Sequence, residues 1–156
     1  MDAKLVNPFI EAFMAVMPML GFQAPKRTNM LLRDKNVIGR GVVVMVGFTR
    51  QLRGNVVYNM TDETARFIAS TMMMGMPVPE FDAMAQSAIS ELSNMLSGNA
   101  STNLTQMGLD VDISTPNLTI GEGFKIKISE SKYLVIDMDL QGHSVEIAIS
   151  VDRNPG

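Results

Sequence analysis

The chain predicts a single α+β domain, residues 1–156, in which a largely antiparallel sheet carries three helices packed as one layer. Three observations lead there. Residues 3–20 place apolar side chains at helical spacing, two more helical runs sit together between residues 61 and 107, and the stretches on either side are rich in β-branched residues and alternate. The order helix, strands, helix, helix, strands keeps helices apart from strands, as α+β architectures do.

Each element has its own local reason. In the first run Leu5, Phe9, Ile10, Phe13, Met14, Met17 and Leu20 share a helical stripe. Pro8 falls in the first turn, where the ring costs no intrahelical hydrogen bond. Residues 30–32, 37–48 and 54–60 read as strands, the last two joined by a turn around Arg50 to Arg53; such short connections impose antiparallel hairpins. Gly39, Gly41 and Gly47 point to bulges or close approaches within that sheet. Thr61-Asp62-Glu63 supplies a capping hydroxyl and carboxylates for a second helix, which runs to about Met74 and stops at Gly75. Pro77 and Pro79 separate it from a third helix beginning near Glu80; Gly98-Asn99 either ends or kinks that helix, or it continues through residues 101–107. Residues 111–114, 124–129, 133–140 and 144–151 then read as strands, with Gln141-Gly142-His143 as the turn of a closing hairpin.

Composition narrows the function. With 46% hydrophobic residues and a mean hydropathy of +0.14, the chain has enough apolar surface for a proper core. A net charge of −3 without clustered Lys or Arg leaves no electrostatic footprint for nucleic acid or an anionic membrane. The longest uncharged stretches fall short of a bilayer span, and the first run has no clear signal-peptide cleavage site, which together predict a soluble, cytoplasmic protein. Cysteine is absent, so there is no disulfide, thiolate metal site or thiol nucleophile. The one histidine, His143, falls in a predicted turn and is expected to be exposed and without a catalytic part. Fifteen methionines, several of them between Met72 and Met76, are expected mainly in the core, with an interface around that turn as the alternative.

The informative stretch is residues 86–98. At roughly 100° per residue, Ser87, Glu91, Asn94 and Gly98 fall within a sector of about 60°, opposite Phe81, Ala85, Ala88, Ile89, Leu92 and Leu96. One face packs; the other presents a carboxylate and a carboxamide at i, i+3 between small neighbours. Taken alone, Glu-x-x-Asn is most simply the solvated face of an amphipathic helix.

Ser87-x-x-x-Glu91-x-x-Asn94, with Pro116 downstream, resembles the signature of the CheC/CheX/FliY family of bacterial chemotaxis phosphatases. The likeness extends over about residues 3–152 and is nearest the CheX branch, whose members carry one such helix. The first helix holds a faint echo, Asn7, Glu11 and Met14, in which the amide is missing. The resemblance implies an enzyme acting on the phospho-aspartate of the response regulator CheY. Asn94 would orient the hydrolytic water and Glu91 would contact the regulator's lysine. Gln86, Ser87, Ser90 and Gly98 would line the partner contact and Pro116 would shape the strand entry beside the helix. It further implies a homodimer and no cofactor of the chain's own, with Mg²⁺ residing on the regulator. An adaptor that grips the regulator without hydrolysing its phosphate, and a structural relative that kept only the fold, are the alternatives.

Overall fold

In the computed structural model, which describes residues 2–155, the α+β arrangement is as expected: three helices on one face of a five-stranded antiparallel sheet. A short 3₁₀ turn at Ala3–Leu5 leads into α1 (Asn7–Met19), followed by β1 (Lys26–Arg50), β2 (Leu52–Met60), α2 (Asp62–Met72), α3 (Ala83–Gln106), β3 (Val111–Ile113), β4 (Asn117–Leu140) and β5 (His143–Arg153). Pro8 lies in the first turn of α1. The α2 start has the expected cap, with the Thr64 amide donating to the Thr61 hydroxyl at 3.1 Å.

Several boundaries differ from the sequence reading. The expected strands 30–32 and 37–48 are two halves of the single strand β1, and 124–129 and 133–140 are parts of β4. Polar residues such as Arg33, Asp34 and Asn36 look like turn residues, yet they pair across to β4, with register shifts at Arg27/Asn29, Asp34/Asn36 and Ile38/Arg40 and Lys35 (φ +58°) left out of the pairing at the second. The β1–β2 turn is reduced to Gln51. Gly98 neither ends nor kinks α3, which continues to Gln106. His143 is the first residue of β5 and half-buried; its ring stacks on Phe67 of α2 at 4.1 Å, so the expectation of an exposed turn residue fails.

β1 and β4 form a long ribbon whose two ends attach to different edges of the β2–β5 pair. The second half of β1 pairs with β2 (Val42↔Met60 to Phe48↔Gly54), while the end of β4 pairs with β5 (Leu134↔Ile149 to Leu140↔His143). The middle of the ribbon therefore passes over the sheet face opposite the helices. Alternation along β1 separates two cores: Val42, Val44, Val46 and Phe48 join the helices, and Val37 and Val43 join Val57, Tyr133, Val135 and Ala148 beneath the ribbon. Two glycines on β1 are fixed by crowding: a Cβ on Gly39 would enter the Phe124 ring, and one on Gly41 (φ +148°) would sit 2.7 Å from the Asp62 amide nitrogen at the α2 start.

The methionines divide. Met17 and Met60 are fully buried, while Met14, Met19, Met30, Met74, Met76, Met84 and Met107 are exposed, Met74 in the loop after α2 to 96%, which overturns the core reading for those residues.

Candidate functional site

Helix α3 owes its orientation to its packing face. Ala85, Ile89, Leu92, Leu96, Ala100 and Leu104 are buried, and the Asp82 carboxylate caps the first turn by accepting from the Ala85 amide at 3.0 Å. Even the polar residues on this side are used inward: buried Ser93 donates back to the Ile89 carbonyl at 3.0 Å. The opposite face is left open. Ser87, Glu91, Asn94 and Gly98 are all exposed, in one line along the helix. The Glu91 and Asn94 side chains are adjacent on that line, with Cβ atoms about 5–6 Å apart as for any i, i+3 pair.

The presented face forms one wall of a groove of about 520 Å³. Ala83, Gln86, Ser87, Ser90, Glu91 and Asn94 contribute from α3, and Leu118 contributes from β4. Five of the six residues expected from sequence are thus brought together; Gly98 continues the line one turn beyond Asn94. Gln86 is half-buried and partly committed, its amide donating to the Phe81 carbonyl at 3.2 Å. Pro116 occupies the junction between β3 and β4, just after Ser114, whose hydroxyl accepts from the Gly47 amide at 2.7 Å. It therefore sits at the entry to the strand that supplies Leu118. Leu118 itself was missed, although Leu118 and Ile120 flanking Thr119 show the period-two alternation of a strand.

Packing does not require glycine at position 98. The residue lies within regular helix, and a Cβ built there would meet nothing within 4 Å. Glycine in such a position costs about 0.5–1 kcal/mol relative to alanine.

A second cavity, of about 320 Å³, opens beneath the ribbon and is lined by Arg33, Arg40, Asp137, Ser144 and Glu146 among others. Glu146 is buried and faces Asp137 directly across the β4–β5 ladder. Burial pushes its carboxyl above the ordinary range, and the Arg33 and Arg40 guanidiniums, 3.8 and 3.9 Å away, oppose that shift in part. The echo on α1 forms no second site of the same kind: Asn7 and Glu11 border a separate hollow with Asn103 and Gln106, and Asn103 is tied to the Pro8 carbonyl at 3.0 Å. Among the described residues no helix is long and apolar enough to cross a membrane, and no group of three or more His, Asp or Glu side chains is placed to hold a metal ion.

Comparison with known proteins gives a consistent result. The family described as chemotaxis phosphatase CheX matches residues 42–139. The CheY-P phosphatase CheX of Thermotoga maritima is 34% identical over 128 residues, 81% of this chain and 82% of the relative. Among solved structures, the CheX–CheY–BeF₃–Mg²⁺ complex from Borrelia burgdorferi superposes with a TM-score of 0.81 at 28% identity, covering 96% of this chain and 98% of that one. CheX of Vibrio vulnificus gives 0.83 at 24% identity, covering 96% and 100%. FliY of Thermotoga maritima shares the fold at 0.73 and 22% identity, covering 94% and 86%.

Proposed function

The chain belongs to the CheX family of chemotaxis phosphatases, and from that premise we propose that it hydrolyses the phospho-aspartate of a CheY-like response regulator, with Asn94 and Glu91 as the residues it contributes. The observation that carries this reading is the pair itself. A carboxamide and a carboxylate stand side by side on the exposed line of a well-anchored helix, in the wall of an open groove.

The chemistry suits what each group offers. An amide has two donors and an acceptor, so inside a partner's pocket it can hold one water in line with phosphorus. In the step, the water oxygen forms a bond to phosphorus while the bond from phosphorus to the aspartyl oxygen breaks. The aspartate leaves as a carboxylate, and the water's protons leave with inorganic phosphate or to solvent. Phosphoryl transfer of this kind depends chiefly on positioning and charge stabilisation, and a water-orienting amide serves the same purpose in GTPases. Glu91, one turn earlier, is free to pair with a lysine of the regulator in a charge-assisted contact that sets the depth of entry. Magnesium, on this reading, belongs to the regulator's acidic pocket, and this chain supplies no cofactor. Homodimer formation through a sheet edge is a further part of the proposal.

An adaptor that only grips the regulator would need the groove but not the amide at its centre. The two are separated by phosphorylating a CheY-like regulator with a small phosphodonor, adding this protein, and following phosphate release. Acceleration is expected with the wild type. Asn94→Ala should lower the accelerated rate by about 10²–10³-fold, the loss typical of removing one preorganised group at a reacting centre. Glu91→Ala should raise KM and lower kcat together. Unchanged phosphate release with wild-type protein that still binds the phosphorylated regulator would establish the adaptor instead.

A further inference from the structure

The groove has two walls, and only one carries the reactive pair. The other is the N-terminal part of β4, where residues 117–122 pair with β1 on one side. Pairing of β4 with β5 begins only at Leu134, so the outer side of this part has no neighbouring strand among the described residues. Leu118 and Ile120 lie opposite Val44 and Val42, both members of the helix-side core, so both point to the side of the sheet on which α3 lies. Leu118 lines the groove, and Ile120 leaves 53% of its surface in solvent. On α3 the exposed line extends one turn before Ser87 to Met84, which is 62% exposed. β3 follows the C-terminal end of α3 and pairs with residues 48–50 of β1. Passing from Leu118 to Ile120 therefore leads away from that end and toward the end of α3 that carries Met84.

Resting on the reading above, we propose that Ile120 and Met84 are apolar specificity determinants: they seat an apolar segment of the same phospho-regulator beside its phosphorylated carboxylate while Asn94 and Glu91 enter its pocket. The argument is continuity and economy. The two residues extend the surface that the reactive pair already occupies. Large apolar side chains at an open edge also invite wrong association, which proteins ordinarily suppress with charge or proline. The groove itself is lined in part by Ala83, Ser87 and Ser90, small enough to admit a visiting backbone. The single charged residue of the lining, Glu91, suits the lysine that the reading assigns to the visitor. These residues add binding without touching the water, so they act on encounter and hold, not on the reaction.

The test is steady-state phosphate release from a CheY-like regulator phosphorylated with a small phosphodonor, comparing wild type, Ile120→Asp, Ile120→Thr, Met84→Ser and Asn94→Ala. Removing buried apolar contact should raise KM by about tenfold in Ile120→Asp and severalfold in Met84→Ser, with kcat within about twofold of wild type. Ile120→Thr keeps a β-branched residue on the strand and should give an intermediate KM with an unaltered melting temperature, which separates docking from misfolding. Wild-type KM in Ile120→Asp and Met84→Ser, alongside an inactive Asn94→Ala, would overturn this inference and leave the proposed function intact. Full activity in Asn94→Ala would overturn the proposed function itself. If Ile120→Asp changes the sedimentation of the protein alone and not KM, the edge is a contact between copies of this chain and the inference fails.

Discussion

Replacing Gly98 by alanine should stabilise the protein and impair it at once. The site is exposed, lies well inside α3, and offers open space to a new Cβ, so the substitution introduces no clash. What remains is the intrinsic difference between glycine and alanine in a helix interior, about 0.5–1 kcal/mol in favour of alanine. At about 2–4 °C per kcal/mol for a domain of this size, the melting temperature should rise by about 1–4 °C. Calorimetric melts at matched concentration read that directly. If the bare patch exists for a visitor, Gly98→Ala should raise KM for the phosphorylated regulator, and Gly98→Gln should raise it further while keeping the gain in stability. A lower melting temperature for Gly98→Ala would refute the helix argument. Raised melting temperatures with unaltered KM in both variants would show that the partner does not come near this turn.

Other perturbations separate chemistry from scaffolding. Because Asn94 is exposed and helical, Asn94→Ala should leave the melting temperature within about 2 °C of wild type or slightly higher while lowering the accelerated rate by about 10²–10³-fold, and a collapsed melt would make its kinetics uninformative about mechanism. His143→Ala should keep full activity and lose about 0.5–1.5 kcal/mol of stability with the ring stacked on Phe67, read as a shift in denaturant midpoint. Glu146 gives a pH signature. Its carboxyl is raised in the folded state, so the folded protein is at no disadvantage below the unfolded carboxyl's ordinary value and loses stability as pH rises through the raised one. Glu146→Gln should therefore flatten the decline in melting temperature between acid and neutral pH; an unchanged slope would remove Glu146 as its source.

Local periodicity made α3 legible. Its packing residues recur every three to four positions, and the burial of Ala85, Ile89, Leu92 and Leu96 opposite an exposed Ser87, Glu91, Asn94 and Gly98 follows from that alone. The second wall of the groove was not legible, because Leu118 becomes a lining residue only when β4 is laid beside β1. The long strands were hidden for a similar reason. Arg33, Asp34 and Asn36 are polar because the middle of the ribbon faces water, and their strand character comes from pairing with Tyr133, Lys132 and Lys127 of β4, not from their own propensities. His143 was misplaced because its stacking partner Phe67 belongs to a different element far away in the chain. Family membership was readable from Ser87, Glu91, Asn94 and Pro116, since a motif tied to one helix survives where overall identity is low.

The wrap of β1 and β4 around the β2–β5 pair also bears on how the molecule comes into being. Lys26 pairs with Asp139 and Met45 with Asn117. Partners roughly 70 to 110 residues apart along the chain make for high contact order and slow folding. On the ribosome, β1 emerges long before the strand that will cover its outer edge, and α1 and α3 wait with their apolar sides unprotected. The groove between α3 and Leu118 can take shape only once the C-terminal half has been made.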